Sequence, residues 1–298
     1  MRLLTIPFSH YCEKARWAAD RAGVAYREEG YLPVQHFLPV RRAGGRTVPV
    51  LLDQGQVYSD STDILRHLDQ ALPPETKLYP AGEVRVGELE EYFDEKLGPA
   101  TRLWAYSYLL SDLGRMARLT GGKLGPAQRL LMRPVMVVAR PLIRKRYRVT
   151  DGARARATVA IEEVFARVDR ELSEGAGDYL ASGRFTAADL TFASLAGPIL
   201  APPEHPLLGS PGGATEGEMG AEIERMRATR AGAHALRMYR EHRGVFRGRA
   251  RRGALARGRP PAPAKQPQTR QGRPPPSLKP RRARRRAASL RSLSERFS

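Results

Sequence analysis

A chain of 298 residues, 41% of them hydrophobic, is long enough to bury two ordinary cores without metals or bridges, and its single cysteine, Cys12, excludes an intrachain disulfide framework. The formal charge of +20 raises nucleic acid or an anionic surface as a partner, but residues 244–298 hold 17 Lys and Arg against one acid, leaving 34 basic and 30 acidic residues elsewhere. The most apolar stretch, Leu130 to Ile143, is interrupted by Arg133, Arg140 and two prolines, so neither a signal peptide nor a spanning helix is expected and the cytoplasm is the expected location.

In chain order, Leu3 to Ile6 is a short apolar run that predicts a first strand. Cys12, Ala15, Ala19 and Ala22 follow at spacings of three and four, a narrow apolar stripe on a helix that ends at Gly23. On that helix Lys14 and Arg16 are expected on a solvated face, and His10 in solvent at its first turn. Val24 and Tyr26 alternate with small or polar neighbours as a second strand, and a long loop with Pro33, Pro39 and Gly44-Gly45 follows. Val48 to Leu52, the Asp53-Gln54-Gly55 turn and Gln56 to Tyr58 read as an antiparallel hairpin, leading into a helix from about Ser61 to Ala71 that Pro73-Pro74 stops.

Strands and helices that alternate over residues 1–76 predict an α/β domain, and residues 77–82 a linker. Residues 83–243 then read as an all-helical domain, with segments near 83–112, 124–147, 151–174, 186–200 and 217–241. In Phe185 to Leu190, Thr186 can cap a helix while Asp189 reaches back to its backbone N–H and Phe185 packs on Leu190. From residue 244 the chain is built of Arg, Pro, Ala, Gly and Ser and cannot bury enough apolar surface to offset its ordering entropy; a disordered basic tail is expected.

Phe8-Ser9-His10-Tyr11-Cys12-Glu13-Lys14-Ala15-Arg16 resembles the segment that opens the first helix of glutaredoxins and glutathione transferases. At the family's distances follow Thr47-Val48-Pro49-Val50-Leu51, similar to its V-P-x-L segment, and Ser59-Asp60-Ser61-Thr62-Asp63-Ile64-Leu65, similar to its acidic-Ser segment; Phe185 to Leu190 resembles its helical-domain capping motif. The resemblance covers roughly residues 1–243 and is to a serine-type, bacterial-like member, with His10 where the family often has Pro. It implies a thioredoxin-like N-terminal domain, an all-helical second domain, a homodimer and glutathione as cosubstrate. It also implies a cis bond before Pro49, turning Val48 outward so that its backbone pairs with the cysteinyl part of glutathione as an added strand would. Asp60 would face the γ-glutamyl ammonium, Ser61 and its N–H the carboxylate, at a helix N-terminus. His36 could approach the glycine carboxylate.

By family position Ser9 takes the place of a nucleophilic cysteine, which implies that its hydroxyl and the open N–H groups of the helix stabilise the glutathione thiolate as it attacks a small apolar electrophile. Ser9 is equally read as a structural N-cap. Cys12 is either a small apolar thiol facing the sheet or a redox cysteine that exchanges with glutathione. Trp104 and Tyr108, with Tyr106, could line the electrophile pocket or belong to the core. Arg115, Arg118, Lys123, Arg129 and Arg133 form a basic segment. The six histidines have no metal-ligand spacing, so no metal is expected. Three readings follow: a glutathione transferase acting through Ser9, a thiol exchanger acting through Cys12, and a transferase-fold scaffold whose tail attracts nucleic acid or anionic lipid.

Overall fold

The computed structural model describes residues 1–112, 114, 126–150, 152–175, 177–205 and 217–243. All of these fall in one compact unit, Met1–Arg257. The tail, Arg115, Arg118 and Lys123 lie outside the described residues, as do the side chains of Arg129 and Arg133.

The first part is a thioredoxin-like α/β layer. Strands β1 (Arg2–Thr5), β2 (Arg27–Gly30), β3 (Val50–Asp53) and β4 (Gln56–Tyr58) form one sheet in the order β2-β1-β3-β4. β1 runs parallel to β2 across helix α1 (His10–Arg21) and antiparallel to β3, pairing Leu4 with Val50; β3 and β4 close the expected hairpin, with Leu51 opposite Tyr58. β2 begins just beyond Val24 and Tyr26 and is itself Arg-Glu-Glu-Gly. An edge strand tolerates such charge: Arg2 donates to Glu29 at 2.9 and 3.1 Å, while Glu28 accepts from Thr5 Oγ1 at 2.6 Å. Helix α2 (Phe37–Arg42) lies inside the expected loop, with Pro39 in its first turn, where the missing N–H costs nothing. Helix α3 (Ser61–Asp69) starts at Asp60, whose carboxylate accepts from Thr62 N at 2.8 Å.

The second part is helical. Helix α4 (Val84–Tyr92) passes through a π-turn (Phe93–Leu97) into α5 (Gly98–Leu109). Then come α6 (Pro126–Arg146), α7 (Ala153–Glu174), α8 (Ala187–Leu200), α9 (Gly217–Arg227) and α10 (Arg230–Met238), closed by a second π-turn (Tyr239–Arg243). The stretch expected as one helix over 217–241 breaks at Thr229, whose side chain caps α10 by accepting from Gly232 N at 2.9 Å. The capping box at α8 forms: Thr186 N donates to Asp189 at 3.0 Å, and the same buried carboxylate takes Leu180 N at 3.0 Å and His234 Nε2 at 3.1 Å. Phe185 packs against Trp17 and His242.

Helix α1 joins the two parts, because α8 packs against it. The apolar stripe is buried as expected at Cys12, Ala15 and Ala19. The opposite face is buried too, which corrects the solvated positions expected for Lys14, Arg16 and His10. Lys14 is 0% exposed and donates to Glu90 and, at 2.6 Å, to Asp94 of the α4–α5 rod. Arg16 donates to Glu28 at 2.7 Å, and Arg243 from the far end of the helical part donates to Glu13 and Asp20, both at 2.6 Å. A lone sequence stripe could not reveal this, since the second covering surface comes from residues some 75 to 230 positions away.

Among the described residues no helix is long and apolar enough to cross a membrane, and no three His, Cys, Asp or Glu side chains are grouped to hold a metal ion.

Candidate functional site

A cavity of about 740 Å³ opens between the α/β layer and the helices. Its walls include Ser9, His36, Val48, Pro49, Asp60 and Ser61, so the residues that the sequence singled out for glutathione come together from four separate segments. The Val48–Pro49 peptide is cis, and Val48 lies outside the β1–β3 ladder, whose pairing starts at Val50. Asp60 and Ser61 stand at the open N-terminus of α3.

Ser9 is the N-cap of α1. Its Oγ accepts from Cys12 N at 3.4 Å, a contact that uses an oxygen lone pair and not the hydroxyl proton. The next two side chains tie this turn to the π-turn of the helical rod: Tyr11 donates to Asp94 O at 2.8 Å, and His10 Nε2 lies 3.0 Å from Gly98 O. A carbonyl only accepts, so His10 carries its proton on Nε2. A π-turn displaces carbonyls from the ordinary helical ladder, and Pro99 brings no N–H to claim one. A Cβ at Gly98 would run into the Tyr11 hydroxyl and ring, so any larger residue there displaces that side chain.

The electrostatics follow from this enclosure. Burial, reinforced by Arg102, drives His10 down to about 3, so the ring is neutral at physiological pH. Burial and Asp94 push Tyr11 up, which keeps its hydroxyl protonated. Asp94, which lines the cavity and accepts from Ser61 Oγ at 3.5 Å, is raised by burial despite Lys14. Cys12 is fully buried and does not line the cavity; burial raises its thiol above the ordinary value, outweighing Arg16 and Ser9.

Trp104 and Tyr108 are absent from the cavity wall. Both point to the other side of α5, where the Trp104 indole and the Tyr108 hydroxyl donate to Glu222 of α9. The cavity instead receives Arg102, Ala105, Tyr106 and Leu109, whose spacings of three, four and seven mark one helix face. The spacing was present in the sequence, but the larger aromatic pair four residues apart marks the core face instead. Arg46, Asp94 and Tyr147 also line the cavity without having been singled out.

Residues 3–76 match the family described as glutathione S-transferase, N-terminal domain. No curated protein matches the chain. Among solved structures, a glutathione S-transferase of Ceriporiopsis subvermispora in complex with glutathione is similar at 17% identity over 82% of this chain and 98% of that one, with a TM-score of 0.52. A glutathione transferase of Phanerochaete chrysosporium aligns at 19% identity over 80% and 95%, TM-score 0.53. One from Xanthobacter autotrophicus Py2 aligns at 18% over 82% and 94%, TM-score 0.52. The fold is therefore that of glutathione S-transferases: a thioredoxin-like layer followed by helices.

Proposed function

We propose that this chain is a glutathione transferase-like enzyme that binds glutathione in the cavity and activates its thiol beside Ser9. The observation that carries the reading is the convergence of Ser9, Val48 and Asp60-Ser61 on one cavity. Asp60 takes the γ-glutamyl ammonium, and the Ser61 hydroxyl and the α3 N–H groups take its carboxylate. Val48 pairs its backbone with the cysteinyl unit, and His36 with Arg46 meets the glycine carboxylate.

A thiol of pKa about 8.5 is mostly protonated at neutral pH, and each unit of lowering corresponds to about 1.4 kcal/mol. The N-terminal N–H groups of α1 and a hydrogen bond from Ser9 Oγ supply that preference for the thiolate. Tyr11 is not the donor, because its proton is spent on Asp94 O. The sulfur attacks the electrophile and the thiol proton leaves to solvent; Ser9 forms no covalent bond. Burial of Cys12 argues against thiol exchange through that residue, and the scaffold reading rests on a tail outside the described residues.

Calorimetric titration tests the ligand first: glutathione is expected to bind at about millimolar concentration or tighter, and Asp60→Ala to weaken it about tenfold. Ser9→Ala should lower kcat/KM for conjugation about 100-fold. Absence of glutathione binding, or unchanged turnover in Ser9→Ala, overturns the reading.

A further inference from the structure

The cavity wall formed by the helices is not simply apolar. Ala105, Tyr106 and Leu109 from α5 face Ile143 from α6, a surface for a flat hydrocarbon body. Into the same cavity come two guanidinium groups, Arg102 from α5 and Arg146 from the end of α6. The Arg102 guanidinium lies 4.6 Å from the Tyr147 ring centre and 5.6 Å from that of Tyr11; Arg146 lies 5.7 Å from Tyr147. Aromatic faces hold a guanidinium while leaving its N–H edge available.

Neither arginine forms an ion pair among the described residues. Other arginines near helix faces do: Arg16 with Glu28, Arg243 with Glu13, Arg154 with Glu218 and Arg225 with Glu162. The two carboxylates in the cavity wall pair with neither arginine: Asp60 caps α3 and Asp94 meets Lys14. Arg102 is half-buried, and a cation withdrawn from water without a carboxylate partner favours a bound anion.

We infer that the second substrate is an amphipathic organic anion, a flat apolar body carrying a carboxylate or sulfonate, with the body on Tyr106, Leu109 and Ile143 and the anionic group on Arg102 and Arg146. The inference rests on the proposed transferase reading and adds the charge that a small apolar electrophile lacks.

Two experiments test it. In the first, which needs no glutathione, the full chain is titrated with 8-anilinonaphthalene-1-sulfonate and with neutral N-phenyl-1-naphthylamine. The sulfonate should bind about tenfold tighter, and Arg102→Gln should abolish most of that preference. In the second, glutathione is offered 4-chloro-3-nitrobenzoate or its methyl ester: a sulfur–carbon bond forms, the carbon–chlorine bond breaks, chloride leaves and the thiol proton passes to solvent. The ratio of kcat/KM for acid over ester, corrected for the uncatalysed ratio, should be about ten in the parent protein and fall toward one in Arg102→Gln and in Arg146→Gln. Arg146 is exposed, so its variant carries the test if Arg102→Gln fails to fold. Equal affinity for the two naphthalene probes, or a ratio that neither variant moves, overturns the inference. Failure of glutathione to bind, with the sulfonate preference intact, overturns the transferase reading alone.

Discussion

Helices α1 and α8 pack against each other and are both buried on nearly every side, yet they reach that state by opposite chemistry. α8 is almost uniformly apolar, and its one charged residue, Asp189, is taken up by the capping box and His234. α1 carries Glu13, Lys14 and Arg16 into the interior and satisfies each with a partner from another element. Burial of an apolar helix is decided by its own residues, whereas burial of a charged one is decided by what meets it.

Matched conservative replacements sharpen that contrast. Lys14→Met keeps the side-chain shape but strands Glu90 and Asp94 without their cation, and is expected to cost about 3–5 kcal/mol in urea unfolding. An effect below about 1 kcal/mol would break the comparison by showing that water reaches the network. Acid should act on α1 as well. Burial would raise the Glu13 carboxyl, but Arg243, with His205 and Arg16, holds it down at about 2, below its ordinary 4.5. His10 is held at about 3, below its ordinary 6.5.

Both groups bind fewer protons folded than unfolded, so their stabilisation is complete above the unfolded values and is lost as pH falls. Unfolding free energy should decline from pH 6.5 downward through His10, and more steeply below 4.5 through Glu13, toward about 2. Glu13→Gln should remove the steeper part, as read from urea unfolding across the range. On α8, Leu195→Met preserves volume and should cost less than about 1.5 kcal/mol. Smallest of all, Cys12 should gain no adduct from oxidised glutathione under native conditions by intact-mass measurement, and a stoichiometric adduct would show that α1 opens readily.

The same contrast explains how much could be read beforehand. The hairpin at Val50 to Tyr58, the cap of α8 and the capped start of α3 depend on neighbours within a few residues, and the sequence carries their chemistry locally. The convergence of Ser9, Val48 and Asp60-Ser61 was legible through the resemblance of three motifs, not through any physical periodicity. What could not be read was whatever a distant surface determines: the burial of His10 and Lys14, the π-turn that receives Tyr11, and the side of α5 that faces the cavity. β2 was expected at Val24 and Tyr26 and lies just beyond them, because an edge strand of Arg-Glu-Glu-Gly lacks apolar alternation.

The fastening of α1 by Arg243 and by the α4–α5 rod bears on where this molecule can be divided. Although residues 3–76 match a domain family, excising them would lay the Trp17 ring bare to water, take Arg243 away from Glu13 and leave Lys14 without Glu90 and Asp94. The segment is thus a sequence module whose first helix has its second covering surface, and much of its counter-charge, in the helical part.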